Sequence, residues 1–420
     1  MRLRFLKQII GVFLILLLTQ KNYGQVSINQ FLRSVDSDIS LKVIDEQNSY
    51  LQGKPYSLSF VNRFQFRMQN NEGISKETQR FGLWLSPANP WAIKSTNKYF
   101  KTYAESLSFE REIAIKEALI ERYNLVVDFL YFNELYQLYQ KDKSLLDAQV
   151  NILEKQHTSD YFNATSFAEL KLEQISKDVQ AEEALFEMNN QIARIDAKYT
   201  AAYVKELNWH SHEIISVAQI ETILDSINSN DNVPTLVSYQ DFKIEMAKQS
   251  YNIQKSNINT GFIQGNYLNG NIAKDKTPWS FVAGITIPIA NPNKGDMARK
   301  QLLVIEANQK KQVTEIRINE EKAIVLDKLN SLIARYKSTQ AKIDAVNTAS
   351  LGSTLSSMRE NNPLVIVKLN SNMLKLELIL LRLKQTIMFS YLEFLSIHDR
   401  LQQRPLVNYL SPSWSLLDTD

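Results

Sequence analysis

The stretch Phe81-Gly82-Leu83-Trp84-Leu85-Ser86-Pro87-Ala88-Asn89-Pro90 has a second copy 202 positions later. It reads Ala283-Gly284-Ile285-Thr286-Ile287-Pro288-Ile289-Ala290-Asn291-Pro292. Glycine falls on glycine and Ala-Asn-Pro on Ala-Asn-Pro. Each copy alternates apolar and polar residues, the period-two signature of a strand with one greasy side, and then meets a proline that pushes the chain out of the ladder. Asn89 and Asn291 are placed to offer side-chain oxygens to the free N–H groups of a following helix.

The alternation extends upstream of both copies. From Leu58 to Met68 the even positions Leu58, Phe60, Asn62, Phe64, Phe66 and Met68 oppose Ser59, Val61, Arg63, Gln65 and Arg67. After a turn at Asn70-Asn71-Glu72-Gly73, Phe81, Leu83 and Leu85 share one face. In the second zone Trp279, Phe281, Ala283, Ile285, Ile287 and Ile289 oppose Ser280, Gly284 and Thr286, while a partner strand around Asn257 to Leu268 alternates less clearly. Each run has about the 9–11 residues that a tilted strand needs to cross a bilayer. Two hairpins packed on helices in a soluble α+β protein would show the same alternation. Four strands cannot close a barrel by themselves, so their edges need other chains or a cover.

Elsewhere the helix breakers are scarce. From Trp91 to Val233 there is neither glycine nor proline, although the chain has 11 and 10 of them. Only Gly352 and Pro363 interrupt the run between Gly295 and Pro405. These stretches predict long helices. One from about 92 to 156 would extend on the order of 100 Å at 1.5 Å per residue. Ile115, Leu119, Val126, Phe129 and Tyr136 fall on 3- and 4-residue steps, as do Leu172, Ile175, Val179 and Phe186 after a polar break. In the second half Leu326, Leu329, Ile333, Tyr336 and Ile343 repeat the spacing, with polar Gln340 in the same series. Such spacing predicts coiled-coil-like seams. The polar breaks also correspond, Asn163, Phe167 and Leu170 lying over Asn362, Ile366 and Leu369. The chain therefore reads as a tandem repeat of hairpin, helix, reversal and helix.

Composition narrows the function. Arg2, Arg4 and Lys7 precede an apolar run from Ile9 to Leu18, which predicts a signal peptide over 1–24. Without the four cations of that leader the 420-residue chain balances 44 basic against 45 acidic residues, which gives no electrostatic case for a nucleic-acid partner. The absence of cysteine excludes disulfides, thiolate nucleophiles and thiolate metal sites. No Gly-x-Ser-x-Gly elbow, Walker loop or Gly-x-Gly-x-x-Gly is present, so no enzyme is expected and no cofactor. His210-Ser211-His212-Glu213 is the one cluster of ligand-type residues. Extended backbone would put both imidazoles on one face for a transition metal, but on a helix they would point about 200° apart, and a solvated connector is the expected reading. Trp84, Trp91, Tyr99 and Phe100 suit membrane-interface anchoring, with helix packing as the competing reading for Tyr99 and Phe100.

A leader, a first helix, a hairpin, a helical hairpin and then the same again resembles the TolC-like outer membrane efflux proteins. Ala283-Gly284-Ile285-Thr286-Ile287-Pro288-Ile289, followed by Asn291-Pro292-Asn293-Lys294-Gly295-Asp296, is similar to that family's second-repeat strand and turn, its heavy-metal branch in particular. The resemblance implies a mainly α fold with β, in which a homotrimer gives four strands per chain to a shared 12-stranded transmembrane barrel and long helices to a periplasmic tunnel. It implies an N-terminal helix at 25–56 on the outside and a first repeat at 57–200, with its hairpin at 57–87 and helices at 90–200. A linker at 201–256 follows, then a second repeat at 257–400, with its hairpin at 257–290 and helices at 294–400, and a polar tail at 401–420.

In that frame Phe64, Phe66, Ile285 and Ile287 face lipid, and Arg63, Gln65 and Arg67 face a wet lumen. The helical reversals near 156–166 and 350–363 become the periplasmic mouth, with Asp160, Arg359 and Glu360 as candidate gate residues. The implied partners are a periplasmic adaptor protein, an inner-membrane pump and outer-membrane lipid. The competing reading is a periplasmic coiled-coil adaptor or structural protein that never enters a membrane.

Overall fold

The computed structural model describes residues 26–54, 56–70, 79–155, 162–199, 204–228, 233–258, 260–269, 277–286, 293–348 and 363–417. In chain order the elements are α1 (Ile28–Arg33), a 3-10 turn (Ser34–Ser37), α2 (Ile39–Gln52), β1 (Val61–Asn70), β2 (Gln79–Pro87), α3 (Pro90–Lys155) and α4 (Ala164–Lys198). Then follow α5 (Val217–Asn228), α6 (Thr235–Lys255), β3 (Gly261–Asn269), β4 (Trp279–Ile285), α7 (Lys294–Thr348) and α8 (Pro363–Ile397). No described helix is long and apolar enough to cross a membrane.

Two compact units emerge. One comprises Met1–Leu41, Ala114–Asn232 and Ile318–Asp420, the other Lys42–Ile113 and Val233–Arg317. The division cuts across the tandem repeat, because each repeat contributes to both.

The helix starts follow from their caps. Ser27 and Gln30 close a reciprocal capping box on α1. Asn89 Oδ1 accepts the Trp91 N–H at 3.0 Å, with Pro90 in the first helical position where its missing N–H costs nothing. Asn163 Oδ1 accepts the Ser166 N–H at 3.1 Å and starts α4. In the second repeat Asn293 immediately precedes the helix, and the expected cap Asn291 lies outside the described residues. Asn293 O accepts the Met297 N–H just as Asn89 O accepts that of Ile93. The two side chains also donate to adjacent carbonyls, Asn89 to Ser256 O and Asn293 to Asn257 O, both at 2.7 Å.

The first unit holds the main apolar cluster. Ile115, Leu119, Val126 and Phe129 of α3 join Val325, Leu329 and Ile333 of α7 and Ile387, Tyr391 and Phe394 of α8 there. Each such side chain stabilises by about 1.5–3 kcal/mol on full burial. The stripe expected on α4 behaves otherwise: Leu172, Ile175, Val179 and Phe186 are all exposed. The face of α4 that packs within the chain is instead Ala181, Ala184, Gln191 and Ile195. Small residues let helices approach closely, so the narrower stripe lies inside and the bulkier one outside.

The initial helices dock by one face and do not enter the core whole, since Ile39, Val43 and Tyr50 of α2 are exposed. Phe31, Leu32 and Val35 are buried in the main cluster, and the Phe31 ring centroid lies 5.8 Å from that of Trp209. Trp209 Nε1 in turn donates to Val26 O at 2.7 Å. The segment after residue 400 does not act as a polar tail, since Leu401, Leu406, Leu410 and Leu417 are buried. A bridge between Val407 and Leu416 folds it back on itself. Its Asn408 Nδ2 donates to Asn29 Oδ1 at 2.7 Å, and Tyr123 Oη donates to Val407 O at 2.9 Å. The polar side chains that suggested a tail satisfy the backbone of a tightly turned strap.

Candidate functional site: a two-faced sheet

All four strands form one antiparallel sheet in the order β1-β2-β3-β4, so the two hairpins join through β2 and β3. Among the described residues β1 and β4 each keep one unpaired edge. The registers Phe66↔Leu83, Leu83↔Gly265 and Gly265↔Phe281 carry a single face across the sheet. Side chains alternate along each strand. That face therefore holds Phe64, Phe66 and Met68, then Phe81, Leu83 and Leu85, then Ile263 and Tyr267, and finally Trp279, Phe281 and Ile285. It is apolar and open: Phe64 is 62% exposed, Phe281 79% and Ile285 86%. A register shift between Val61 and Arg63 breaks the alternation read from Leu58 onward, so Leu58 and Phe60 precede the regular ladder. β3 begins at Gly261 rather than Asn257, because Ser256 caps the end of α6.

The opposite face carries Arg63, Gln65, Arg67, Arg80, Gln264, Asn266 and Ser280, with Trp84, Phe262, Leu268 and Val282 among them. Gln264 Nε2 donates to Asn266 Oδ1 at 2.6 Å and Arg67 Nη2 to Gln65 Oε1 at 2.9 Å. The Arg67 guanidinium lies 5.1 Å from the Trp84 ring centroid, within cation–π range. Trp84 and Phe262 stack at 5.8 Å with 26° between their planes. The duplicated glycines make room for the large residues of β3. A Cβ at Gly284 would stand 2.6 Å from Phe262 Cε1, and one at Gly82 would stand 3.1 Å from Asn266 Oδ1. At the α3 end of this face, Arg63, Asn62, Trp84, Asn89, Thr96 and Asn257 line a cavity of about 600 Å³.

The helices of the other unit are held by polar links. Asp142 of α3 is buried, its Oδ1 accepting from Ser371 Oγ of α8 at 2.8 Å. Its Oδ2 has the Lys177 ammonium of α4 at 3.2 Å as an ion pair but no well-aligned hydrogen bond. Asp128 Oδ1 accepts from Gln385 Nε2 at 2.9 Å, and burial pushes its carboxyl above the usual range despite that bond and nearby Arg194. Lys143–Asp178 and Lys171–Glu154 reinforce α3 against α4, but both pairs are solvated and contribute little.

The fold has solved counterparts. The chain superposes on the open-state outer membrane channel MtrE of Neisseria gonorrhoeae with a TM-score of 0.67 and 11% identity, over 90% of each chain. For the outer membrane protein VceC of Vibrio cholerae the TM-score is 0.64 at 11% identity, over 89% of this chain and 96% of that one. For CusC, studied for folding and transmembrane channel formation, it is 0.64 at 11% identity, over 90% and 93%. The chain has the TolC-like fold. No family model matches the sequence, and no curated relative matches it either.

Within this TolC-like fold, Arg63, Gln65 and Arg67 share one face of the sheet, while Phe64, Phe66 and Ile285 share the other. Ile287 and all three candidate gate residues, Asp160, Arg359 and Glu360, lie outside the described residues. Sequence reading missed Arg80, Trp84 and Phe262 as members of the polar face. Arg80 stands just before Phe81, where the duplicated stretch begins, and the two aromatics look like core residues until the register is known. His210 and His212 do come together, their rings stacked at 5.3 Å and 12°. Parallel stacked rings do not converge on a shared ion, and no group of three ligand-type residues is found among the described residues. Phe100 packs between Tyr56 at 4.7 Å and Tyr99 at 5.2 Å, whereas Trp91 is exposed.

Proposed function

We propose that three copies of this chain form an outer-membrane channel for passive passage from periplasm to exterior, the terminal duct of a tripartite efflux system. The observation that carries this reading is the sheet with one apolar, exposed face and one polar face, whose two outer edges are unpaired among the described residues. Water is a poor solvent for the first face and bare edges invite pairing. Joining β1 of one copy to β4 of the next removes every edge and gives 12 strands around a polar lumen. Phe64, Phe66, Ile285 and Ile287 then meet lipid, and Arg63, Gln65 and Arg67 line the lumen.

The exposed stripe of α4 supports self-association too, as do Leu302, Ile305, Val313 and Ile316 on one face of α7. MtrE and VceC are outer membrane proteins by description, and the leader expected at 1–24 fits export to the same place. A periplasmic adaptor and an inner-membrane pump would supply docking and energy, and the channel itself makes or breaks no bonds. A soluble periplasmic coiled-coil protein accounts for the helices but leaves the apolar sheet face without a solvent.

Purification in mild detergent tests the reading directly. A heat-modifiable oligomer that gives discrete conductance steps in planar bilayers is expected. A monomer that dissolves in detergent-free buffer sinks it.

A further inference from the structure

The four described strands contain Arg63, Arg67 and Arg80 and no aspartate, glutamate or lysine. All three arginines lie on the polar face, and among the described residues no acidic side chain pairs with any of them. The two connecting turns do not offset this charge, since Glu72, Glu77 and Asp275 balance Lys76, Lys274 and Lys276. Guanidinium is protonated at every working pH. Resting on the channel reading, three copies place nine such cations inside one strand cylinder whose low-dielectric wall focuses their field. Rings of arginine favour anions in pores.

Charge is only half of the arrangement. Trp84 and Phe262 form a stacked aromatic pair on the same face, Arg67 lies over the tryptophan, and Arg63 and Trp84 line the same cavity of about 600 Å³. An aromatic platform beside two guanidinium groups matches a solute with a flat apolar body and a carboxylate or sulfonate head. We infer that the strand segment is an anion-selective filter with an aromatic subsite, and that its cargo class is the amphipathic organic anion. Inorganic anions share the charge requirement but gain nothing from the rings.

The test uses the full chain in planar bilayers under a KCl gradient, with 1-naphthalenesulfonate, an equal concentration of naphthyl-trimethylammonium, or sulfate added from the exterior side. Wild type is expected to prefer chloride and to be blocked by the sulfonate more strongly than by the ammonium or by sulfate. The triple variant Arg63→Gln, Arg67→Gln, Arg80→Gln should lose most of the chloride preference, while the corresponding lysine triple keeps it. Trp84→Ala should weaken sulfonate block roughly tenfold with the chloride preference unchanged, as expected when one stacking partner is lost.

Cation preference in wild type, or equal effects of the glutamine and lysine triples, overturns the inference. Sulfate blocking as well as the sulfonate removes the aromatic subsite and overturns the proposed cargo class. No conductance steps and no heat-modifiable oligomer from wild type would instead remove the channel reading beneath it, so the two failures are distinct.

Discussion

Arg122 Nη1 donates to Asp38 Oδ2 at 2.9 Å, and only 1% of the arginine side chain is exposed. Its Nε also donates to Ser34 Oγ at 3.3 Å, while Asp38 Oδ1 accepts the Ser40 N–H at 3.1 Å. One ion pair therefore ties α3 to the 3-10 turn and to the first turn of α2. Arg122→Met should destabilise the protein by about 3–5 kcal/mol, because it strands a carboxylate whose partner was buried. An added Asp38→Leu should recover part of that loss. Denaturant unfolding of the solubilised protein checks both.

The same pair predicts an acid limb. Burial pushes the Asp38 carboxyl up, but the Ser40 N–H and the Arg122 guanidinium outweigh it and hold it below the usual range. A depressed carboxylate contributes stability that is complete above its unfolded value of about 3.9 and is lost as pH falls through its folded value. The stability gap between wild type and Asp38→Asn should therefore close on acidification below about pH 4. A gap that stays constant down to pH 2 would contradict the assignment.

Asp128 predicts the opposite sign. Burial raises its carboxyl, so the ionised form costs stability. The penalty is absent below the unfolded value of about 3.9 and grows as pH rises through the folded one. Asn in its place still accepts from Gln385 and carries no charge. Asp128→Asn should unfold at a higher temperature than wild type at pH 7 and at the same temperature near pH 3.5, as thermal scans at the two values would show.

The sequence carried the helix and strand pattern because both rest on local rules. Breaker-free runs set α3 and α7, and period two set β1, β2 and β4. What it hid depends on contacts distant in sequence. Nothing local marks Arg122 as buried, because its partner is 84 residues away. Asn408 and Tyr123 hold the C-terminal strap through partners 379 and 284 positions away, so that segment read as polar surface. The α4 stripe was legible as a stripe but not as an outward one, since its spacing is the same whichever partner covers it.

Lys177→Met should expose how much the Asp142 link holds. Asp142 is almost fully buried, and with the ammonium gone its remaining partner among the described residues is the Ser371 hydroxyl. Loss of about 3–5 kcal/mol is expected, with most of it recovered in Lys177→Met, Asp142→Leu, since replacing both members of a buried pair is close to neutral. Hydrogen exchange should localise the loosening to α4 and α8.

Glu360 is proposed at the periplasmic mouth together with Asp160 and Arg359. Three copies of one carboxylate at a constriction would set part of the resistance to ion flow there. Glu360→Ala should change single-channel conductance at neutral pH. Unchanged conductance and selectivity would take Glu360 out of the gate.

The outward stripe of α4 gives a direct measure of assembly. Leu172, Ile175, Val179 and Phe186 follow steps of three, four and seven residues on one face, and Phe186 is 62% exposed in the single chain. The in-chain contact is made by Ala181, Ala184 and Ile195 on another face, so a charge placed on the stripe leaves the folded chain's own packing untouched. If a second copy covers the stripe, burying Phe186 there stabilises the assembly by about 1.5–3 kcal/mol per copy. Ile175→Asp with Phe186→Asp adds the cost of desolvating two carboxylates. The double variant should keep its helical circular dichroism and lose the heat-modifiable oligomer band. An oligomer fraction equal to wild type would show that the stripe faces solvent in the assembly and that other surfaces, the sheet edges first, hold the copies together.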